Sequence, residues 1–230
     1  MAPPPPTTAP TTAPASDRVR VRRLPDRGAY DRAGVHAVLD AGFLCHLGFA
    51  VDGQPYVIPT LYGRDGDVVY VHGSAASRML RQLAGGVAAC LTVTHVDGLV
   101  LARSAFHHSI NYRSAVVLGS ATLVDDPDEK LRALEVVTDQ VVPGRWAEVR
   151  GPSAKEDRAT AVLRLPLDEC SVKIRDAGVG DDVEDLELDV WAGVVPLATV
   201  PGAPVPDPGL RAGIPVPASV AALLDPDARR

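Results

Sequence analysis

Aromatic residues are scarce in this chain, 4% of 230 residues. That argues against a surface built for stacking unpaired bases. Positive charge is not in excess either: the net charge is −6 and the pI is near 5.5, which disfavours a nucleic-acid partner. No apolar run is long enough to cross a bilayer, and the first 16 residues lack a basic stretch followed by an apolar one. A cytoplasmic protein is therefore expected. Only three cysteines occur, Cys45, Cys90 and Cys170. Their odd number and wide spacing fit neither a disulfide framework nor a zinc site, so buried free thiols are expected. There is no Gly-x-Gly-x-x-Gly and no βαβ rhythm, which disfavours a Rossmann domain. No Gly-x-Ser-x-Gly nucleophile turn is present.

What is there is strand text punctuated by turns. Residues 1–16 are Pro, Thr and Ala and read as a disordered tail. A basic arm follows, in which Arg18, Arg20, Arg22, Arg23 and Arg27 are interleaved with Val19, Val21 and Leu24. A helix is predicted from Tyr30 to Asp40, with Asp31 near its start. Strands are predicted at Phe43–Val51 and Gln54–Tyr62, joined by an Asp52-Gly53 hairpin turn. Pro55 and Pro59 place the second strand at an edge or an irregular position. Further strands are expected at Val87–Val96 and, after a turn at Asp97-Gly98, at Leu99–Ala102. Ser114–Val124 and one long strand, Ala161–Arg175, complete the set. Helices are predicted at Asp128–Val142, with proline at its first position, at Ser153–Thr160, and near Ala218–Leu224. From residue 176 to 230 the chain is acidic, then rich in Pro and Gly, and should lie extended on the body. Short turns between strands, with a few inserted helices, indicate a mainly antiparallel barrel.

One stretch, Asp67–Leu83, carries the most chemistry. It starts as a strand (Val68 to Val71), passes through His72-Gly73-Ser74 and becomes a helix. Ala76, Met79, Leu80 and Leu83 form its buried stripe. Ser74 is the expected N-cap, with Ser77 and Arg78 in the first turn. Free amides, two hydroxyls and a guanidinium at a helix start make a seat for a phosphate. The alternative is an ordinary capped surface helix.

The order of motifs resembles the pyridoxamine 5′-phosphate oxidase-like family of flavin-binding split barrels, and within it the nitroimidazole-reductase (Nim) branch. Four pieces carry the likeness: GFLCHLGFAVDGQPYVIPTLYGRDGDVVYVHG, SAASRML, SINYRSAVVLGSA and DVWAGVVPL. The resemblance implies a split-barrel domain over residues 17–175 that binds FMN at a homodimer interface. It places Val57, Ile58, Pro59 and Thr60 beside the flavin ring, and Val71 and His72 at a strand end touching it. Ser74, Ser77 and Arg78 would hold the phosphate. Asn111, Tyr112, Arg113 and Ser114 would reach the cofactor from another strand, and Trp191 would cover a site from the tail. The strand Tyr56–Leu61 has no basic residue and the family's substrate-phosphate motif is missing, which sets vitamin B6 oxidation aside.

The implied activity is FMN-dependent oxidation or reduction of a small molecule, nitroaromatic or quinone-like, with a nicotinamide or another reductant reloading the flavin. FMN would supply the redox chemistry and the protein position and electrostatics. Thr60 or a backbone amide would stabilise the reduced ring. His72 is the catalytic candidate, able to hydrogen-bond or pass a proton; its alternative is a structural histidine. Alternatives to the whole reading are a haem- or F420-binding split barrel, or a non-catalytic flavin binder. His107-His108 has no Cys or acid cluster beside it to suggest a metal, and residues 181–189 read as a solvated acidic face.

Overall fold

The computed structural model describes residues 13–225. In chain order the elements are β1 (Gly28–Ala29), α1 (Arg32–Asp40), β2 (Leu44–Val51), β3 (Gln54–Asp65), β4 (Val68–Ser74), α2 (Arg78–Ala84), β5 (Ala88–Leu101), β6 (Ser109–Ser120), β7 (Thr122–Leu123), α3 (Pro127–Val141), α4 (Ala154–Ala159), β8 (Thr160–Pro166), β9 (Glu169–Arg175), β10 (Gly193–Pro196) and α5 (Ala218–Leu224). The strands run β1-β9-β6-β5-β2-β3-β4-β8-β7, with β10 added to β5. Every pairing is antiparallel. The sheet curls around its apolar face as a split β-barrel, the expected fold.

The core follows from alternation. Cys45, Leu47 and Phe49 of β2 point inward, as do Leu91 and Val93 of β5, Ala115 and Val117 of β6, and Leu163 and Leu165 of β8. α1 closes one end with Val35, Val38 and Leu39, and α2 contributes Leu80 and Leu83. Each fully buried leucine or valine is worth about 1.5–3 kcal/mol. A second cluster forms where α3 lies on the other face of β4 and β8, joining Tyr70, Val124, Ala133, Val137 and Val162. Gly63 makes that approach possible: a Cβ there would lie 2.8 Å from the Val136 carbonyl oxygen and the Val137 backbone.

Local signals explain the joints. Asp52 and Gly53 both have positive φ, 52° and 78°, as the tight hairpin requires. Asp31 caps α1, Asp126 caps α3 with Pro127 following it, and Ser153 and Glu156 form a reciprocal capping box on α4. β3 pairs with β2 over Gln54–Leu61 and with β4 only over Tyr62–Asp65. Pro55 and Pro59 therefore stand where the strand has one ladder instead of two.

Five expectations need correction. The predicted strand Ser114–Val124 is the later part of β6, which begins at Ser109, followed by a separate β7 that pairs with β8. The predicted strand Ala161–Arg175 is two strands, β8 and β9, because Pro166-Leu167-Asp168 turns the chain between different partners. Asp97-Gly98 is a bulge inside a continuous β5, not a turn. α2 begins at Arg78 with Ser77 as N-cap rather than Ser74, since Ser74 closes a separate turn by accepting from the Ala76 and Ser77 amides. The acidic stretch is not wholly solvated: the Asp181 side chain is 1% exposed against Arg103. Cys45 and Cys170 are buried free thiols and Cys90 is half-buried.

The basic arm lies on the body. Val19 is buried, the Val21 amide donates to the Tyr30 hydroxyl at 2.8 Å, and Arg18 pairs with Glu169. Residues 1–12 of the expected N-terminal tail, and 226–230 of the C-terminal one, lie outside the described residues. The tail after β9 runs largely exposed. It adds β10 to β5 and ends in α5, whose Ser219 amide donates to Glu148 at 3.0 Å. Among the described residues no helix is long and apolar enough to cross a membrane.

Candidate functional site

The turn from β4 into α2 is the focus. Ala76 N–H donates to Ser74 Oγ at 3.2 Å and Leu80 N–H to Ser77 Oγ at 3.5 Å. Arg78 follows the cap. Its Nη2 donates to the Tyr56 hydroxyl at 3.1 Å, and its guanidinium carbon lies 5.1 Å from the centre of the Tyr56 ring. Tyr56 in turn stacks on Phe49, with centroids 5.5 Å apart and planes 19° apart. Neither Arg78 nor Arg81, one turn on, forms an ion pair among the described residues. The helix start thus presents one unneutralised guanidinium, that of Arg78, beside two seryl hydroxyls. Gly73 keeps the approach tight, since a Cβ there would come within 3.2 Å of Leu80.

A cavity of about 560 Å³ opens over β2, β3, β5 and β6, and no residue of this turn lines it. Phe49, Tyr56 and Val57 wall it, and Gly48, Ala88 and Gly119 form a floor of small residues. Arg18 stands at its rim. A planar, largely apolar group fits such a space.

The other expected site residues divide. Across the β2–β3 ladder, Ile58 and Thr60 lie opposite Leu47 and Cys45, on the core-facing side, whereas Val57 and Pro59 lie opposite Gly48 and His46 on the outer side. The four do not share one face. Val71 is packed into the main core and its side chain is not available to a ligand. His72 points the other way, with Tyr70 and Val162, toward the α3 side. Its Nδ1 is buried without a hydrogen-bond partner, and burial pushes its pKa below the usual histidine value.

Asn111, Tyr112, Arg113 and Ser114 are committed within the chain, except Tyr112, which only stands opposite Val96 and Arg175 in the ladders. Asn111 Oδ1 accepts from Arg175 and from the Ala177 amide, fastening the start of the tail. Arg113 makes two bonds to Asp97 at 2.9 and 3.0 Å, and Ser114 Oγ donates to the Lys173 carbonyl. Trp191 is exposed at the tail edge, against Gly193 at the start of β10.

Of the six histidines, four have an engaged ring nitrogen: His36 on Asp67, His95 on the Val38 carbonyl, His107 on Asp182 and His108 on the Ser104 carbonyl. His107 and His108 thus point to separate partners. His46 and His72 are the two without one. No group of metal-ligating residues occurs among the described residues.

The pairing of Phe49 with Tyr56 was readable from the hairpin, because the two are equidistant from Asp52-Gly53. The contact of Arg78 with Tyr56 was not, since it depends on how the barrel curls.

Residues 31–174 match the family model described as pyridoxamine 5′-phosphate oxidase. The chain belongs to that family. Among solved structures, this oxidase-family chain is similar to the flavocytochrome Anf3 from Azotobacter vinelandii. The two are 41% identical with a TM-score of 0.84, covering 90% of this chain and 97% of that one. It is also similar to a FAD- and haem-binding protein from Mycobacterium smegmatis, at 39% identity and TM-score 0.82, covering 86% and 97%. A structure assigned to 5-nitroimidazole antibiotic resistance from Bacteroides thetaiotaomicron shares the fold at 22% identity and TM-score 0.54, covering 64% and 86%. No curated protein matches the chain.

Proposed function

We propose that this protein is a flavin-dependent redox protein whose flavin phosphate rests on Ser74, Ser77 and Arg78. The observation that carries the reading is the unneutralised Arg78, held on Tyr56 at the start of α2 next to the Ser77 cap. The donor set fits a phosphate: hydroxyls, first-turn amides and a guanidinium, with no carboxylate paired to it. The cavity fits a planar ring. Bound flavin supplies the electron transfer. The chain's own part is to anchor the anionic end and exclude water from the ring with Phe49, Tyr56 and Val57; His72, turned toward α3, does not face that ring.

FMN, expected from the sequence, satisfies this seat. FAD presents a phosphate to it as well, and the M. smegmatis relative favours FAD. The reaction is oxidation or reduction of a small molecule, nitroaromatic or quinone-like. The working unit is a homodimer sharing the flavin across the outer sheet face, where Leu44, Val57, Leu61 and Val96 stand exposed. The mass of the flavin released on denaturation distinguishes FMN from FAD. Arg78→Ala should weaken binding by roughly 1.5–3 kcal/mol; wild-type affinity in that variant removes the phosphate assignment.

A second reading adds haem. Two relatives near 40% identity are described as a flavocytochrome and as FAD- and haem-binding. A haem iron needs a neutral imidazole, and His72 offers a buried nitrogen with no partner and a depressed pKa. His46, on the outer face of β2, is the other unengaged histidine. An intense Soret band in the isolated protein, lost in His72→Ala, supports this reading; a purely flavin-like spectrum rejects it.

A further inference from the structure

We infer that Tyr56 is the positioning residue that aims Arg78 at the phosphate, through a three-layer stack of Arg78, Tyr56 and Phe49. The inference rests on the flavin-phosphate reading above and adds to it the device that sets the arginine's direction.

An exposed arginine on a seven-residue helix has many rotamers, and holding one costs conformational entropy. Here two contacts restrict it. The Tyr56 hydroxyl accepts from Nη2 at 3.1 Å, and the guanidinium lies over the ring face at 5.1 Å. The ring cannot swing away, because Phe49 backs it at 5.5 Å in a nearly parallel stack. Both aromatic residues lie on the core-facing side of the β2–β3 hairpin, where their Cα atoms are ladder partners. Phe49 is buried in the main core and Tyr56 packs against it. The platform is therefore as rigid as the hairpin. One Nη2 bond uses a single donor of the guanidinium, and the rest of the fork stays available to an anion. Arg81, one turn on, has no such platform.

This makes Tyr56 a determinant of how strongly the protein prefers a phosphorylated flavin over an unphosphorylated one. The test is to strip flavin from the full chain and titrate it with FMN and with riboflavin. The quantity read is the ratio of the two dissociation constants. Arg78→Ala should reduce the preference for FMN by at least tenfold. Tyr56→Phe keeps the ring and loses the hydroxyl, and should reduce it a fewfold. Tyr56→Leu loses both contacts and should approach Arg78→Ala. The double variant should be no worse than Arg78→Ala alone. Riboflavin affinity should stay nearly constant in Tyr56→Phe.

An unchanged ratio in Tyr56→Phe and Tyr56→Leu, with a collapsed ratio in Arg78→Ala, overturns the positioning role and leaves the phosphate reading intact. Equal losses for both flavins in Tyr56→Phe and Tyr56→Leu make Tyr56 a ring contact only and also overturn it. An unchanged ratio in Arg78→Ala removes both the phosphate reading and this inference. Should Tyr56→Leu fail to fold, Tyr56→Phe decides alone.

Discussion

Arg103 grips Asp181 at two points: its main-chain N–H donates to Oδ1 at 2.9 Å and its Nη1 to Oδ2 at 2.7 Å. Arg103 follows the end of β5, and Asp181 lies in the tail shortly before β10 returns to pair with that strand. The ion pair and the four-residue ladder thus fasten the same stretch of tail. Removing Arg103 strands a nearly buried carboxylate, which cannot stay in place unpaired. Arg103→Ala should speed amide hydrogen exchange in β10 and at residues 98–101, while the β2–β5 ladder exchanges as before. Unaltered exchange in β10 would show that the ladder holds the tail unaided.

Gly63 should tolerate no side chain. A Cβ would meet main-chain atoms of α3 at 2.8 Å, and backbone cannot rotate away as a side chain can. Gly63→Ala should cost about 1–3 kcal/mol, read as a lower urea midpoint. Gly151→Ala, with nothing within 4 Å, is the control and should stay within about 0.5 kcal/mol of wild type.

Burial lowers the His72 pKa below 6.5, so the unfolded chain takes up that proton first. Its contribution is then at its best above pH 6.5 and declines as pH falls from 6.5 toward the folded value. His107, raised by its hydrogen bond to Asp182, has the opposite sign. Comparing the flavin-free wild type with His72→Gln isolates the first effect. Below pH 6.5 the wild type should lose stability faster than the variant; parallel curves in chemical denaturation would refute a buried neutral imidazole.

The shared-flavin reading makes a demand on the outer face. Leu44 and Leu61 are ladder partners and both exposed there. Leu44→Asp places a charge where an interface would desolvate it. Sedimentation should show a dimer for the wild type and a monomer for the variant, with the far-ultraviolet circular dichroism retained. A wild type that sediments as a monomer would end the proposal.

Most of the barrel was legible because strand alternation and turn residues are local signals. Asp52-Gly53 set the β2–β3 register, and Asp126-Pro127 marked the start of α3. The break between β8 and β9 is marked locally only by Pro166 and Asp168, and the apolar alternation on either side of them masks the change of partner. The same limit applies to the site. The Ser77-Arg78 turn could be read from residue types at a helix start. That Asn111 and Ser114 are spent on Arg175 and on the Lys173 carbonyl could not, since those partners are about 60 residues away. Edge strand β10 was invisible for another reason: Gly193–Pro196 is too short to show a period and gains its conformation only by pairing with β5.

The half-paired stretch of β3 bears on solubility. An unpaired strand edge is a template for adding foreign strands. Of the alternate positions 55, 57 and 59, two are proline and have no N–H to offer. Only Val57 keeps a donor in that row, so an incoming strand would find one N–H where it needs three. The chain can therefore hold an apolar strand edge open beside the cavity with little tendency to polymerise into fibrils.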